Sequence, residues 1–413
     1  MFMYEKNNKL NLTFDKTVIP PDVPDLVISK EDGITKVSIE GESSSLPPVT
    51  DADNGKTLVV QDGQWVLGAG GGGADLSGLL NNNLSKITVD SSVKALDAYS
   101  LYNKNLTEVR IKSATVIGLQ ALAFNPSLYH VIIETNSVCG LSADALMATS
   151  VGAGAGWIYV PSDLVDSYKS SWVAYADQIV SLDEYPKEIT ITETISDSWE
   201  DIFAAEEDDS YKTKYSVGDT KVLDINGVKA IMQIVAFDTD SLSDNSGMAK
   251  ISWLCKNVPF MFSMNPNNSI VGGWEDTLCR DRLINDVLPE VPEVIRSNIK
   301  EVNKTYYDAN SSSTKTVSDT LFILSAKEAA ASVTPIEDSG VVYSSIFSDD
   351  NSRIKYIGLA EGASAVAPWW LRSSNSHKGD IFRLVYDDGG IIGGGIISYK
   401  PSNVSGVSFG FCT

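Results

Sequence analysis

The chain has very little histidine, few cysteines and no long apolar run. Its two histidines, His130 and His377, are too few for a histidine-rich metal site. The four cysteines form no Cys-x-x-Cys pair, and their spacing offers no metal framework. A run of about 18 apolar residues, the signal of a membrane-spanning helix, is missing. The sequence therefore predicts no metal, no cofactor and no membrane insertion.

Basic residues are also scarce. The chain has 32 Lys and Arg against 54 Asp and Glu, which gives a net charge of −22. Nucleic-acid binding needs clustered Lys and Arg to contact phosphates, so this balance argues against a nucleic-acid partner. Anionic polymers are repelled as well, within a screening length of roughly 8–10 Å. Neutral sugars and protein surfaces are the easier partners.

The first residues lack the apolar segment of a secretory signal, since Glu5 and Lys6 interrupt them. We therefore expect synthesis in a cytoplasm, and release by cell lysis or as part of an assembled particle.

One short pattern, Leu-x-x-aliphatic-x-aliphatic, occurs three times at a spacing of 22 residues, starting at Leu84, Leu106 and Leu128. A fixed period of this length predicts stacked strand–loop units, each too small to bury its own apolar face. Between these copies runs a second register, with Leu96, Leu119 and Leu141 at matching places beside Ala98, Ala121 and Ala143. A helix that begins at Ser162 or Asp163, with one of them as its N-cap, is predicted to cover the end of the stack.

The composition divides the chain into four parts. Residues 1–68 hold short strand-like runs and predict a small β unit for attachment or oligomerisation, too small for a large core of its own. Residues 69–83, rich in Gly and Asn, predict a linker. Residues 84–186 carry the repeats and their cap. Residues 187–413 form the largest unit, with a predicted hairpin at Asn226-Gly227 and helices over 274–288 and 293–302.

The repeats resemble the BspA-like leucine-rich repeats of bacterial surface and phage proteins. The resemblance covers Leu84 to Ile133 and a closing segment from Ile158 to Pro186 that includes Tyr168 and Trp172. It implies a short leucine-rich-repeat solenoid with a C-terminal cap.

Residues 187–413 resemble a family of C-terminal modules of unknown function from gut phages and Gram-positive bacteria. The matching segments include Tyr215–Thr220, Trp274–Asn285, Asp319–Ser325, Pro368–Ser373 and Ser405–Cys412. These modules look related to the C-type-lectin/formylglycine fold. The fold class predicted for the chain is therefore multidomain. It has a small all-β N-terminal unit, a short leucine-rich-repeat solenoid and an α+β C-type-lectin-like C-terminal domain.

The N-terminal segment from Leu46 to Trp65 looks like one found in phage head-fibre and tail proteins. Together the three resemblances imply a virion protein with an attachment base, a spacer and a distal domain. We expect a non-enzymatic fibre or receptor-binding protein on the exterior of a bacteriophage. We also expect a homotrimer that attaches to capsid or tail proteins through its N-terminal region and binds a host-surface glycan or protein.

The strongest local signal for binding is Trp369-Trp370-Leu371-Arg372. An aromatic plane can stack on a sugar, and a guanidinium can bind a carboxylate or carbonyl group. The alternative is that one or both tryptophans lie in the core and Arg372 pairs with an internal Asp. The loops after this segment are polar and rich in Gly, as recognition loops often are. The predicted ligand-binding residues are Trp369, Arg372, Ser374, Asn375, His377, Lys378, Asp387, Asp388, Tyr399 and Asn403.

Two other functions stay open at this point. The protein could be a capsid or tail decoration that binds no receptor. It could also be a glycan-degrading enzyme, because two carboxylates need only be close in space. The sequence offers no Gly-x-Ser-x-Gly nucleophile motif, and His377 is the only histidine of the C-terminal part. We therefore predict no catalytic residue.

Overall fold

The computed structural model describes residues 2–6, 9–13, 26–31, 34–39, 65–67, 86–89, 93–189, 191–330, 341–360, 365–375, 381–391 and 399–413. The chain divides into two compact units, Met1–Ile189 and Thr190–Thr413. Strands outweigh helices in both, and the helices are short. The coarse prediction of a multidomain chain rich in β-structure is compatible with this architecture.

Most of the regular secondary structure of the first unit is β-strand. The strands are β1 (Phe2–Lys6), β2 (Lys9–Thr13), β3 (Leu26–Glu31), β4 (Ile34–Ile39), β5 (Trp65–Leu67), β6 (Lys86–Val89), β7 (Ala95–Leu96), β8 (Glu108–Ile111), β9 (Val116–Ile117), β10 (His130–Ile133), β11 (Gly140–Leu141), β12 (Trp157–Val160) and β13 (Ile179–Ser181). The largest sheet runs in the order β13-β12-β10-β8-β6-β3-β4-β5, and a smaller one in the order β11-β9-β7.

The repeated pattern forms parallel strands in register. Ile87 pairs with Val109, and Val109 pairs with Val131. Alternate residues of a strand point to opposite faces, and these three are buried in one core. The predicted repeat strands are confirmed.

The second register differs from the prediction. Ile117 pairs with both Leu96 and Leu141, whereas Leu119 is 41 % exposed. The chain passes close to its neighbour just after Ile117, because a Cβ at Gly118 would lie 2.6 Å from the Leu96 carbonyl oxygen. The glycine therefore fixes where the turn begins and leaves Leu119 beyond the buried position.

Strands from residues 1–68 continue the sheet of the repeats. β3 pairs parallel to β6, with Leu26 opposite Ile87 and Ile28 opposite Val89. β4 and β5 then add antiparallel strands at the edge. The N-terminal strands and the repeats thus share one compact unit. The predicted linker over 69–83 lies outside the described residues, and the finer domain boundaries stay predictions.

The helix α1 (Val165–Ser171) packs Tyr168 into the core formed by the repeats. Tyr168 and Trp172 are buried, and the Cys139 main chain donates to Tyr168 Oη and accepts from Trp172 Nε1, each at 2.9 Å. The predicted N-cap is wrong, because α1 follows a 3-10 turn and Ser162 donates instead to Asp183 at 2.6 Å.

The described residues of the second unit form three sheets. Its strands are β14 (Thr220–Ile225), β15 (Val228–Phe237), β16 (Ile251–Cys255), β17 (Phe260–Ser263), β18 (Val302–Asp308), β19 (Ser313–Asp319), β20 (Phe322–Ile323), β21 (Trp369–Ser374), β22 (Phe382–Val385), β23 (Val404–Val407) and β24 (Phe409–Cys412). Their orders are β14-β15-β16-β24-β20, β17-β23-β21-β22 and β18-β19. The α-helices are α2 (Trp199–Glu207), α3 (Tyr211–Lys214), α4 (Leu278–Arg282), α5 (Glu293–Arg296) and α6 (Ala326–Ala329).

The predicted hairpin between β14 and β15 is confirmed, with Asn226 at φ 49° and Gly227 at φ 88°. The helix predicted over 274–288 is divided into short turns around α4. The helix predicted over 293–302 is too long, because α5 ends at Arg296 and Val302 already begins β18. Within the described part of the chain, every helix is too short or too polar to span a bilayer.

Candidate functional site

The two tryptophans of the predicted binding motif lie in the core of the second unit. Trp369 and Trp370 have no exposed surface. The Trp369 indole donates to the Arg353 carbonyl oxygen at 3.0 Å, and the Trp370 indole donates to that of Phe262 at 2.9 Å. A ring without exposed surface cannot stack on an external sugar, so the prediction of Trp369 as a ligand contact is corrected to a core residue.

Arg372 is also buried, and its guanidinium is fully engaged inside the fold. Nη1 donates to Glu328 Oε2 at 2.6 Å, while Nε and Nη2 donate to the Thr305 carbonyl oxygen at 3.0 and 2.8 Å. The internal partner anticipated by the alternative interpretation is therefore present, as a Glu rather than an Asp. Arg372 positions strands and is not available to an external ligand.

The next two predicted residues are buried as well. Ser374 Oγ accepts from the Ala309 N–H at 2.7 Å and donates to the Tyr307 carbonyl oxygen at 3.2 Å, which holds β21 against the turn after β18. Asn375 is without exposed surface, and its N–H donates to the Ile381 carbonyl oxygen at 3.0 Å. Both are corrected from ligand contacts to structural residues.

His377 and Lys378 lie outside the described residues, so their predicted role stays a prediction. The residues that flank them, Asn375 and Ile381, mark one end of the β21–β22 pair. Trp369 marks the other end, where it pairs with Val385 and with Gly406.

The remaining predicted residues lie on the chain segments that follow β22 and precede β23, at the Trp369 end of this sheet. Asp387, Asp388 and Asn403 are exposed, and Tyr399 is partly exposed. The Tyr399 ring stands edge-on to Tyr386, with centroids 5.7 Å apart and an interplanar angle of 78°. We call these five residues the aromatic–acidic cluster. The sequence interpretation missed Tyr386, although it directly precedes Asp387.

The cluster rests on a rigid base. The Tyr399 ring packs edge-on against buried Trp370 at a centroid distance of 6.4 Å. Asp388 Oδ1 accepts from the Gly390 N–H at 2.9 Å, and Asn403 Oδ1 accepts from the Lys400 N–H at 3.1 Å. These bonds close two tight turns, so the exposed carboxylate and amide groups are held by local structure.

A glycine fixes the first of these turns. Gly389 has φ 80°, and a Cβ there would lie 1.7 Å from the Asp350 carbonyl oxygen. Its own carbonyl oxygen accepts from Arg353 Nε at 2.8 Å. The turn that carries Asp387 and Asp388 is thus bound to the segment whose main chain holds Trp369, which limits its motion.

A neighbouring loop extends the same surface. The Asn265 N–H donates to the Pro401 carbonyl oxygen at 2.9 Å, and Ser402 Oγ donates to Asn268 Oδ1 at 2.6 Å. Asn268 and Ser402 are exposed. These two side chains therefore add an exposed amide and an exposed hydroxyl group to the surface beside the cluster.

Burial raises the pKa of both tyrosines of the cluster, and the neighbouring Asp387 adds to the effect. Their hydroxyls therefore stay protonated at neutral pH and can donate hydrogen bonds. The cluster offers protonated phenols, ionisable carboxylates and an amide, a set suited to binding polar groups.

The residues 256–402 match the model of one family, a domain of unknown function (DUF6273). No curated protein and no solved structure matches the chain. The DUF6273 segment includes β17 to β22 and all members of the aromatic–acidic cluster except Asn403.

The cysteines and the possible metal ligands bear on whether the second unit could carry out catalysis. Cys255, Cys279 and Cys412 are buried free thiols, and burial raises the pKa of Cys279 to about 12. Thiols that stay protonated are poor nucleophiles. Among the described residues, no group of three or more His, Cys, Asp or Glu side chains is arranged to hold a metal ion.

Proposed function

We propose that this chain is a non-enzymatic bacteriophage virion protein, a fibre or receptor-binding protein. In this proposal the N-terminal region attaches to the particle, and the second unit binds a glycan or protein on the host surface. The observation that carries it is the aromatic–acidic cluster. It exposes polar and aromatic groups on turns that the buried Trp370 and the Gly389 contact hold in place.

The finer fold assignment is part of the proposal. A leucine-rich-repeat solenoid is supported by the in-register parallel strands β6, β8, β10 and β12 and by the covering helix α1. A C-type-lectin-like second unit is supported by its short helices, its small sheets and its long connections between strands.

The absence of catalysis is also a proposal. It is supported by the burial of the three thiols of the second unit, which removes them from cysteine chemistry. The acidic groups of the cluster are exposed to solvent, so they lack the water-excluded surroundings of a catalytic carboxyl group.

We further propose a homotrimer displayed on the virion exterior. Short N-terminal strands such as β1 and β2 form a two-stranded sheet, and such a sheet gains a core by association. Three copies of a weak site also raise the overall affinity for a surface that repeats its ligand. Multi-angle light scattering at micromolar concentration is expected to give the mass of three chains, and a monomer would exclude this part of the proposal.

The binding proposal is tested with fluorescently labelled full chain and a panel of Gram-positive gut bacteria. We expect saturable binding to at least one strain. The double variant Tyr386→Ala/Tyr399→Ala is expected to weaken that binding by about tenfold or more, because aromatic anchors carry much of a site's binding energy.

The matched control is Tyr99→Ala, which removes an exposed aromatic ring of the first unit. It is expected to leave binding unchanged. A second variant, His377→Ala/Lys378→Ala, tests the two predicted residues outside the described ranges. If no strain binds the folded chain, the decoration alternative is favoured. Turnover of cell-wall polysaccharide by the pure chain would favour the enzyme alternative.

A further inference from the structure

Four charged side chains meet in the core of the second unit. Lys304 Nζ lies 2.6 Å from Asp240 Oδ1 and 3.2 Å from Glu328 Oε1. Arg372 Nη1 lies 2.6 Å from the other oxygen of Glu328, Oε2. The side chains of all four are at most 4 % exposed. The group has two positive and two negative members, so its net charge is zero.

Such a group is costly to bury as free ions. Taking a charged side chain out of water costs several kcal/mol, and ion-pair attraction often fails to offset the loss. An aromatic ring also borders the group, because Lys304 Nζ lies 3.7 Å from the centroid of the Phe322 ring. A reaction that removed two of the charges would relieve this cost and leave the other two paired.

We propose that Lys304 and Asp240 condense to an intramolecular isopeptide bond, with Glu328 as the proton acceptor. This is a modification site separate from the aromatic–acidic cluster, and it does not depend on the proposed virion function.

The condensation balances within the two side chains. Lys304 Nζ passes one proton to Asp240 Oδ1, 2.6 Å away, which makes both groups neutral. The freed electron pair of Nζ then attacks Cγ of Asp240, while Glu328 Oε1, 3.2 Å away, accepts the second proton of the nitrogen and returns it to Oδ1. The C–N bond forms, and the bond from Cγ to Oδ1 breaks. Of the three protons of the ammonium group, one stays on the amide nitrogen and two leave with Oδ1 as water, one of them through Glu328. A cation and an anion are thereby replaced by a neutral amide and one water molecule.

The other oxygen of Asp240 is held by two hydroxyl donors. Ser252 Oγ donates to Oδ2 at 2.5 Å, and Tyr343 Oη donates to it at 2.7 Å. Burial raises the pKa of Tyr343 well above its usual value, which keeps its proton in place. Donors aimed at this oxygen stabilise the negative charge that builds on it when nitrogen adds to Cγ.

Glu328 is positioned by contacts on its far side. Its Oε2 accepts from Arg372 Nη1 at 2.6 Å and from the Ser325 N–H at 2.8 Å, which turns Oε1 toward Lys304. After the condensation, Glu328 and Arg372 remain as one satisfied ion pair.

The bond would join two distant parts of the second unit. Asp240 follows β15, and Lys304 lies in β18. A covalent link between residues 240 and 304 restricts the unfolded chain as a disulfide does, and it needs no oxidising compartment. It would thus supply a covalent crosslink, which the four free cysteines do not form.

The mass of the purified full chain under denaturing conditions tests the proposal. We expect a mass lower than the sequence mass by one water molecule. Trypsin is expected to leave the Lys304 site uncut and to give a branched peptide that joins 230–250 to 301–315. Lys355 is an internal control, because it is another buried lysine but its Nζ contacts the Cys255 carbonyl oxygen at 2.5 Å instead of a carboxylate. Trypsin is expected to cut at Lys355.

Variants locate the chemistry. Asp240→Ala and Glu328→Gln are each expected to show the full sequence mass, and circular dichroism reports whether they fold. The wild-type result is decisive even if both variants fail to fold. A wild-type chain with its full mass and normal cleavage after Lys304 would show that the residues form ion pairs only and would overturn the proposal.

Discussion

Arg372 Nη1 and Glu328 Oε2 form an ion pair with a separation of 2.6 Å, in which neither side chain is more than 4 % exposed. β21 is thereby fastened to the N-terminus of α6, where Glu328 also caps the first turn. Because of this ion pair, the guanidinium group of Arg372 is not available to an external ligand.

Replacement of Arg372 by Met is expected to lower the free energy of unfolding by about 3–5 kcal/mol, because it leaves the Glu328 carboxylate without this partner in the core. Urea unfolding measures the change. The control is Arg296→Met, whose partner Glu293 has a side chain 73 % exposed, and a change below about 1 kcal/mol is expected there. Equal effects of the two variants would contradict the structural role of Arg372.

Trp369→Ala is expected to cost about 3–5 kcal/mol, since it opens a cavity in a packed core and removes the hydrogen bond to Arg353. Differential scanning calorimetry is the measurement. Val271→Ala removes an apolar side chain that is 69 % exposed and is expected to leave the melting temperature nearly unchanged. If Trp369→Ala abolished cell binding without lowering the melting temperature, the ring would be a ligand contact after all.

The Glu206 carboxyl predicts a dependence of stability on pH. Burial raises its pKa from 4.5 to about 7, although Thr413 Oγ1 donates to it at 2.6 Å. Between these values the folded chain holds the proton more tightly than the unfolded chain. The contribution of Glu206 is therefore complete below pH 4.5 and is lost as the pH rises to about 7, at a slope of up to about 1.4 kcal/mol per pH unit.

Urea unfolding of wild type and Glu206→Gln at pH 5 and pH 8 measures this effect. The stability difference between the two chains is expected to shift in favour of the variant at pH 8. Glu207→Gln, at the exposed neighbouring position, is the control and is expected to follow wild type. Parallel pH profiles for all three chains would contradict the assignment.

Lys355 is expected to make stability rise with pH, and to do so in a higher pH range than Glu206. Burial lowers the pKa of its ammonium group from 10.5 to about 7. The unfolded chain holds the proton more tightly, so the stability contributed by this site rises between pH 7 and pH 10.5. Lys355→Met is therefore expected to stabilise the chain at pH 6, with the advantage shrinking toward pH 10. Thermal unfolding at both pH values checks this, with exposed Lys400→Met as the control.

Local patterns predicted local structure well. Ile87 and Val109 alternate with polar residues, and alternation alone indicates a strand with one buried face. Asn226-Gly227 indicates a tight hairpin because both residues adopt positive φ readily. These signals need no knowledge of the rest of the chain.

The signals that failed depend on distant partners. Whether Arg372 faces solvent is decided by Glu328 and Thr305, which lie far away in the sequence. In the same way, Val302 continues the helical periodicity of the residues before it, but pairing with Asp319 places it in β18. Tyr399 lies near Tyr386 because of the order of the strands in the sheet, and strand order cannot be deduced from local sequence patterns.

The parallel pairing of β3 with β6 has a practical consequence for work on isolated pieces of this chain. A fragment that begins at Leu84 would carry the repeats but leave the main-chain groups of residues 86–89 bare on one side. An exposed edge strand can pair with a strand of another molecule, so such a fragment is expected to self-associate in solution. Retaining residues 26–67 would keep that border occupied.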